Sequence, residues 1–450
     1  MKNYKSLILT AILLTMLCGC GDDTKPNPEN PVTLTMWHNY GGDMQETMDY
    51  LIDQFNTTKG KDLGITINVT AISSSSELNK SLEMIANGDP GAPETPDIFT
   101  GYPKIAVSFK EKGLIINYDD YIADDTLDLY VDNFIDEGRF GDDGLYVFPI
   151  AKSTEIMYLN KTLFDKFASE TGTDESLLST FEGIAKLSKD YYAWTDAKTP
   201  DIKNDGKQFY AADSWFNFTE VAMEQLGTSI INEDTSFNFD NESFKYIMNT
   251  IYDPAVKGGF AIYDGYSSDL SKTGDLICST GSSAGILFYG DTVTYEDGTI
   301  EQVEYSILPY PIFENGKNIA LQRGGGLIVS KSSPQKEYAA CEFIKWLTAP
   351  EQNMQFISST GYLPVTKQAF ENDIKKHLDT LTDNRIKKML TAVLSMYENY
   401  EFFTAPNHLS FDDDSTNFET KLRAVLTKDR NSFLNNENYS FNTTINELTN

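Results

Sequence analysis

The chain has 450 residues, and since a single core rarely grows past roughly 250–300 residues, two lobes are expected. Hydrophobic residues make up 40% of it, with 27 Phe and 25 Tyr, which excludes a wholly disordered chain. Asp and Glu number 67 against 36 Lys and Arg, a net charge of -31, which argues against nucleic acid and against a basic face docking on anionic lipid; four Cys make neither a disulfide framework nor a zinc ribbon.

In chain order, Lys2 and Lys5 precede an apolar run from Leu7 to Leu17. That run is shorter than the roughly 20 residues a membrane span needs, so 1–19 reads as a secretory signal peptide. It ends Leu17-Cys18-Gly19-Cys20, which resembles a bacterial lipobox with Cys20 as the lipidated N-terminus, although Cys18 departs from the usual Ala, Ser or Thr. A plain secreted protein cut nearby is the alternative. Residues 20–31, rich in Pro, Asp and Asn, read as a free tether holding a globular body off the membrane.

An α/β rhythm follows. Val32–Trp37 alternates as a strand, Met44, Met48, Leu51, Ile52 and Phe55 recur at helical spacing, and Ile65, Ile67, Val69 and Ala71 alternate again. Leu78, Leu82, Ile85 and Ala86 form a second helical stripe, and Pro96–Thr100 a short buried strand. Strand, helix, strand, helix, strand implies a parallel sheet flanked by helices. The stretch 151–274 is helix-rich and aromatic, with strands returning near 275–280, 305–309 and 326–330. Ser333 and Pro334 start a helix whose stripe is Ala339, Ala340, Phe343, Ile344 and Leu347; Pro350 opens the next and Gly361 closes it. Phe418, Leu422, Val425 and Leu426 mark a late helix, and the Asn-rich 431–450 reads as a loose tail.

Six segments in order carry a resemblance: Thr33–His38; Pro96–Ile98 with Gly113–Ile115; Pro149–Lys161; Gly324–Val329; Ala339–Leu347; and Thr360–Val365. Together they resemble the family 1 extracellular solute-binding proteins of ABC importers, nearest to the sugar and glycerol-3-phosphate binders. The resemblance implies an α/β fold of two lobes, each a mixed β-sheet flanked by helices, with a hinge between them. It places 32–149 and 279–331 in the first lobe and 150–278 and 332–450 in the second. It also implies capture of a sugar or oligosaccharide for an ABC permease, by a monomer with no cofactor, no metal and no catalysis.

Candidate ligand-binding residues follow from position. Trp37, His38 and Tyr40 follow the first strand, where an aromatic stacks on a sugar face and a His donates to a hydroxyl, although Trp37 reads equally as core. Tyr102 follows the strand ending at Thr100, and Ser153 and Thr154 lie just past the crossover. Gly324 and Gly325 let backbone approach a ligand. By resemblance, Trp215 supplies an aromatic platform, Ser282 or Ser283 a hydroxyl contact, and Tyr362 the cleft tyrosine.

Some positions depart from that pattern. Where the glycerol-phosphate binders carry a late Arg this chain has something near Ser415, and Pro103 and Ser76 replace an acidic residue and a Tyr. Asp412–Asp414 would repel a phosphate, so a neutral carbohydrate is expected. Gly281-Ser282-Ser283-Ala284-Gly285 also matches the hydrolase elbow, which needs a helix after it and a His downstream. A surface lipoprotein glycan hydrolase, or a sensor reusing the fold, is therefore the competing reading. Cys278 and Cys341 read either as a disulfide or as two buried thiols.

Overall fold

Apolar side chains in Val32–His38 alternate inward, so Val32, Leu34 and Met36 are buried while Thr33 and Thr35 face out. Ile65 and Ile67 repeat the pattern in the next strand. The computed structural model describes residues 25–406 and 411–449 apart from 73 and 233, without the side chains of 411–413. Its two large sheets are built, in chain order, from β1 (Val32–His38), β2 (Ile65–Ala71), β3 (Ile98–Gly101), β4 (Phe148–Pro149), β5 (Ser153–Asn160), β6 (Tyr210–Ala212), β7 (Cys278–Ser282), β8 (Tyr305–Leu308), β9 (Ile319–Arg323), β10 (Gly326–Val329) and β11 (Glu401–Thr404).

The first sheet has the order β2-β1-β3-β10-β4. β1 runs parallel to β2 and β3, as helical crossovers require, and β10 is antiparallel to β3 and β4. α1 (Asp43–Thr57) covers one face through Leu51 and Phe55. α2 (Ser75–Asn87) and α3 (Pro103–Glu111) cover the other, where Leu78, Leu82 and Phe109 pack with Phe99 and Ile328. The second sheet has the order β11-β9-β5-β7-β6, with β8 also on β5. β5, buried along its whole length, is antiparallel to β7, β8 and β9. α4 (Trp215–Gln225) packs on β9, and α5 (Glu242–Lys257) packs on α4. The fold is thus two lobes, each a mixed sheet flanked by helices.

The chain divides between the lobes differently from the expected 279–331 and 332–450. β7, β8 and β9 all pair in the second sheet, so the chain leaves that lobe only after Arg323, and β10 is the strand it adds to the first. α6 (Pro334–Leu347) and α7 (Pro350–Thr360) stay with the first lobe. Phe343 and Trp346 lie 5.0 and 5.2 Å, ring to ring, from Phe55, and α7 packs along α1. The stripe of α6 was visible in the sequence, but its partner, the sheet completed by β10, was not. Past Val365 the chain returns to the second lobe with α8 (Asn384–Asn399), β11, α9 (Phe411–Leu434) and α10 (Phe441–Thr449).

Both ends of the globular body are more ordered than composition suggests. Asn431–Thr449 is not a loose tail: α9 runs to Leu434, and α10 folds back with Leu448 buried and the Thr444 hydroxyl donating to Asp429. Residues 25–31, expected in the tether, dock on the first lobe. Asn30 N–H donates to the Asn27 carbonyl at 2.9 Å, the Gln335 amide donates to the Asn30 carbonyl at 3.1 Å, and the Lys25 ammonium lies 5.4 Å from the Tyr338 ring centre. The signal peptide and Cys20 lie outside the described residues.

Candidate functional site

Two crossings bring the strand ends of both lobes together: 150–152 between β4 and β5, and Gly324–Gly325 between β9 and β10. Lys152 fastens them. It is buried, and its ammonium donates to Glu137 Oε2 at 2.8 Å and to the Gly324 carbonyl at 3.1 Å. Its backbone exchanges hydrogen bonds with Leu363, on the third passage between the lobes. Gly324 has φ of 101°, and a Cβ there would stand 2.6 Å from the Ala151 carbonyl oxygen, so no larger residue fits the crossing.

Between the lobes, at the carboxyl ends of β3 and β9, opens a cleft of about 650 Å³. The first lobe supplies Ser75 and Asn79 from α2 and Tyr102 and Lys104 from the start of α3. The second supplies Ser214, Asn217 and Glu220 from α4, and Arg323 and Gly324 from the end of β9. Ser75, Asn79 and Tyr102 also line a narrow adjoining recess of about 30 Å³, closed by Tyr40, Gly325 and Tyr362.

Ionised and ionisable groups meet where α4 crosses the second sheet. Glu155 is buried within β5; its Oε1 accepts from Asn217 at 2.9 Å and from Arg323 Nη1 at 3.3 Å. Burial pushes its pKa up, against the pull of Arg323 and Asn217. Arg323, though walled in by protein, keeps 40% of its side-chain surface open to the cleft. Asp213, just past β6, accepts from the Ser267 amide at 2.8 Å; burial raises its pKa and Ser267 holds it back. The Ser214 side chain caps α4, accepting from Asn217 N–H at 3.0 Å, and donates to Glu419 of α9. Glu419 accepts the Phe216 N–H at 3.0 Å and is itself held by Arg423 at 2.8 Å. Glu220, one turn along α4, is 1% exposed, and neither of its oxygens accepts a hydrogen bond from the described residues. Burial pushes its carboxyl up to about 8.

Of the expected site residues, Tyr102, Gly324, Tyr40, Gly325 and Tyr362 line the cleft or its recess, with Tyr102 47% exposed and Tyr362 stacked 5.9 Å from Phe356. The others do not. Trp215 is 2% exposed: it is the first residue of α4 and turns inward onto Tyr210, Phe218 and Phe260, leaving the cleft wall to its neighbours Phe216, Asn217 and Glu220. Trp37 packs against the apolar cluster beneath α2 and α3. His38 is fully buried, its Nδ1 accepting from the Tyr40 N–H at 3.3 Å, and burial lowers its pKa. Ser153 and Thr154 are buried in β5, where Ser153 pairs in register with Arg323. Ser282 accepts the Ala284 N–H at 3.3 Å, and Ser283 is fully buried with its Oγ accepting from the Thr154 N–H at 3.4 Å. The elbow serine, Ser283, therefore opens no nucleophile to the cleft, and only a short 3-10 turn, Ser283–Phe288, follows the strand. Cys278 and Cys341 are buried free thiols in different lobes.

Residues 50–382 match the family described as bacterial extracellular solute-binding protein. The chain belongs to that family. The curated relatives include the sn-glycerol-3-phosphate-binding periplasmic protein UgpB of Escherichia coli, 22% identical over 370 residues with 77% of each chain covered. The protein of the same name from Pectobacterium atrosepticum is 23% identical over 362 residues, covering 75% of this chain and 74% of its own. Among solved structures, the cyclic alpha-maltosyl-1,6-maltose binding protein of Arthrobacter globiformis superposes with a TM-score of 0.71 at 17% identity, over 93% of this chain and 97% of that one. UgpB of Mycobacterium tuberculosis in complex with glycerophosphocholine gives 0.66 at 17% identity, over 93% and 96%. These structures share the two-lobed fold. This is an extracytoplasmic solute-binding protein, and the family it belongs to is one of binding proteins rather than enzymes.

For a solute-binding protein the residues that sequence reasoning overlooked are Glu155, Asn217, Glu220 and Arg323. A signal for two of them existed. Glu155 directly precedes the apolar run Ile156–Leu159 of a strand buried along its whole length, and Glu220 sits between Phe218, Val221 and Met223 on a helix with hardly an exposed face. Carboxylates are seldom buried without a partner, so a Glu in either place asks for one.

Proposed function

We propose that this protein captures a carbohydrate, a sugar or oligosaccharide, in the interlobe cleft and hands it to the permease of an ABC importer, while a lipid on Cys20 keeps it at the membrane. One observation carries the reading: a cleft of about 650 Å³ that opens between two lobes and is lined on both sides by hydroxyl, amide and aromatic groups. That volume falls in the range of small-molecule sites, roughly 300–1,000 Å³. Tyr102 offers an exposed ring for the apolar face of a sugar, while Ser75, Asn79, Ser214 and Asn217 offer donors and acceptors for its hydroxyls. Buried carboxyls at Glu155 and Glu220 weigh against a phosphate ester. Relatives bind glycerol-3-phosphate or oligomaltose-type sugars, and the second class fits this floor better. Closure of the lobes about the three crossings would enclose the ligand, and no ligand bond is broken.

The test is a thermal-shift screen of the signal-free protein against mono- and oligosaccharides and glycerol-3-phosphate. A ligand at 100 times its dissociation constant should add about 2.7 kcal/mol of stability. A shift with glycerol-3-phosphate and none with any sugar would overturn the ligand class. Cys20→Ser should release the protein from membranes in a detergent partition; retention would refute the lipid anchor.

A further inference from the structure

Resting on that carbohydrate reading, we propose that Glu220 makes the cleft a site for a carbohydrate bearing a protonated amine, the ammonium group docking on the Glu220 carboxylate. Among the described residues of the cleft, one buried polar side chain has no hydrogen-bond partner. Glu220 lines the cleft, is 1% exposed, and accepts nothing at either oxygen. The neighbouring carboxylate, Glu155, is already committed to Arg323 and Asn217. Asp213 is committed to Ser267.

The charges around Glu220 favour a cation. Glu155 on β5 and Glu224 on its own helix repel its ionised form, and Arg323 on β9 is the cation that opposes them. Across the cleft the first lobe presents Glu83 and Lys104, and Glu137 already bound to Lys152. Burial, helped by Glu224 and Glu155 and opposed by Arg323, pushes the carboxyl up to about 8, so without a ligand it is protonated at neutral pH. An ammonium ligand reverses the balance: its N–H donates to the carboxylate, and the carboxyl proton leaves to solvent. One proton is released for each amine bound, and no other bond changes. A neutral sugar in the same place meets an uncharged carboxyl and releases none.

Calorimetric titration decides it, with glucosamine, galactosamine and chitosan oligomers each set beside its hydroxyl parent, glucose, galactose or the cellulose oligomer. Each is run at pH 6, where these amines are charged and Glu220 is protonated, in phosphate and in the zwitterionic buffer ACES, so that the difference in apparent enthalpy counts protons. At least one amine is expected to bind about tenfold to hundredfold more tightly than its parent and to release close to one proton. Glu220→Gln, which keeps the shape of the neutral acid, should abolish both the preference and the release. Parents that bind as tightly as the amines, binding without proton release, or an amine preference that survives Glu220→Gln would each overturn the inference while leaving the carbohydrate reading intact. Binding of no sugar of either kind would overturn both. The proton count on the wild-type protein does not depend on how the variant folds.

Discussion

Lys152→Met tests whether the crossing between the lobes is fastened by a buried ion pair. The Lys152 and Glu137 side chains are 3% and 8% exposed, with 2.8 Å between ammonium and carboxylate. At that separation the gross attraction is about 6 kcal/mol for an effective dielectric of about 20, and desolvation of the two ions takes back much of it. Removing only the cation leaves Glu137 with Gln322 as its remaining side-chain donor and deprives the Gly324 carbonyl of its ammonium. Breaking one side of such a pair costs about 3–5 kcal/mol, whereas replacing both by apolar residues is often neutral. Urea denaturation of the apo protein at pH 7 should therefore show a loss of about 3–5 kcal/mol for Lys152→Met. The double variant Lys152→Met, Glu137→Leu should regain most of it. A single variant within about 1 kcal/mol of wild type, or a double variant no better than the single, would refute the account of the crossing.

Trp215→Ala should cost about 3–5 kcal/mol as a core truncation; a change confined to ligand affinity in calorimetry would return Trp215 to the cleft. Tyr102→Ala, at an exposed rim, should leave stability within about 0.5 kcal/mol and weaken a bound sugar about tenfold by calorimetry. Glu220 has a folded-state pKa of about 8 against an unfolded 4.5, so the stability it contributes is present below 4.5 and is lost as pH rises to about 8. Wild type should accordingly fall relative to Glu220→Gln by something on the order of 4 kcal/mol across that window in denaturation runs at stepped pH; a difference independent of pH would refute it.

How far the sequence spoke depends on the range over which each feature is decided. β1, α1, β2, α2 and β3 were legible because each announces itself within a few residues: inward alternation at Leu34 and Met36, a helical stripe ending at Phe55, then both again. Lobe membership is decided elsewhere. Tyr305–Leu308 reads as a strand in any setting, yet it belongs to the second lobe because Ser306 and Ile307 pair with Leu159 and Tyr158 of β5, 147 and 149 residues earlier in the chain. α6 carries the same lesson, with a stripe whose partner, Phe55, lies far up the chain.

The cleft divides along the same line. Tyr102 was reachable because a residue directly after a sheet strand sits at a strand end, whatever the strand pairs with, and Gly324 because a glycine lets backbone approach closely. Trp215 went wrong by a step around the helix: with Ser214 as the cap, the first residue of α4 faces the core while Phe216, Asn217 and Glu220 line the cleft, and a single step is about 100°. The charged floor is harder still. Glu155 gains its meaning from Arg323, 168 residues away, and from Asn217, 62 away; no window along the chain holds the three together. What the sequence does hold is the anomaly on each side, one carboxylate directly before the apolar run Ile156–Leu159 and another between Phe218 and the apolar Val221–Met223. Burial without a partner is costly enough that two such anomalies in one lobe point to a shared polar floor before the fold is known. That inference stops at Glu220, because only the packing of α4 on β9 separates a carboxyl with partners from one left facing the cleft.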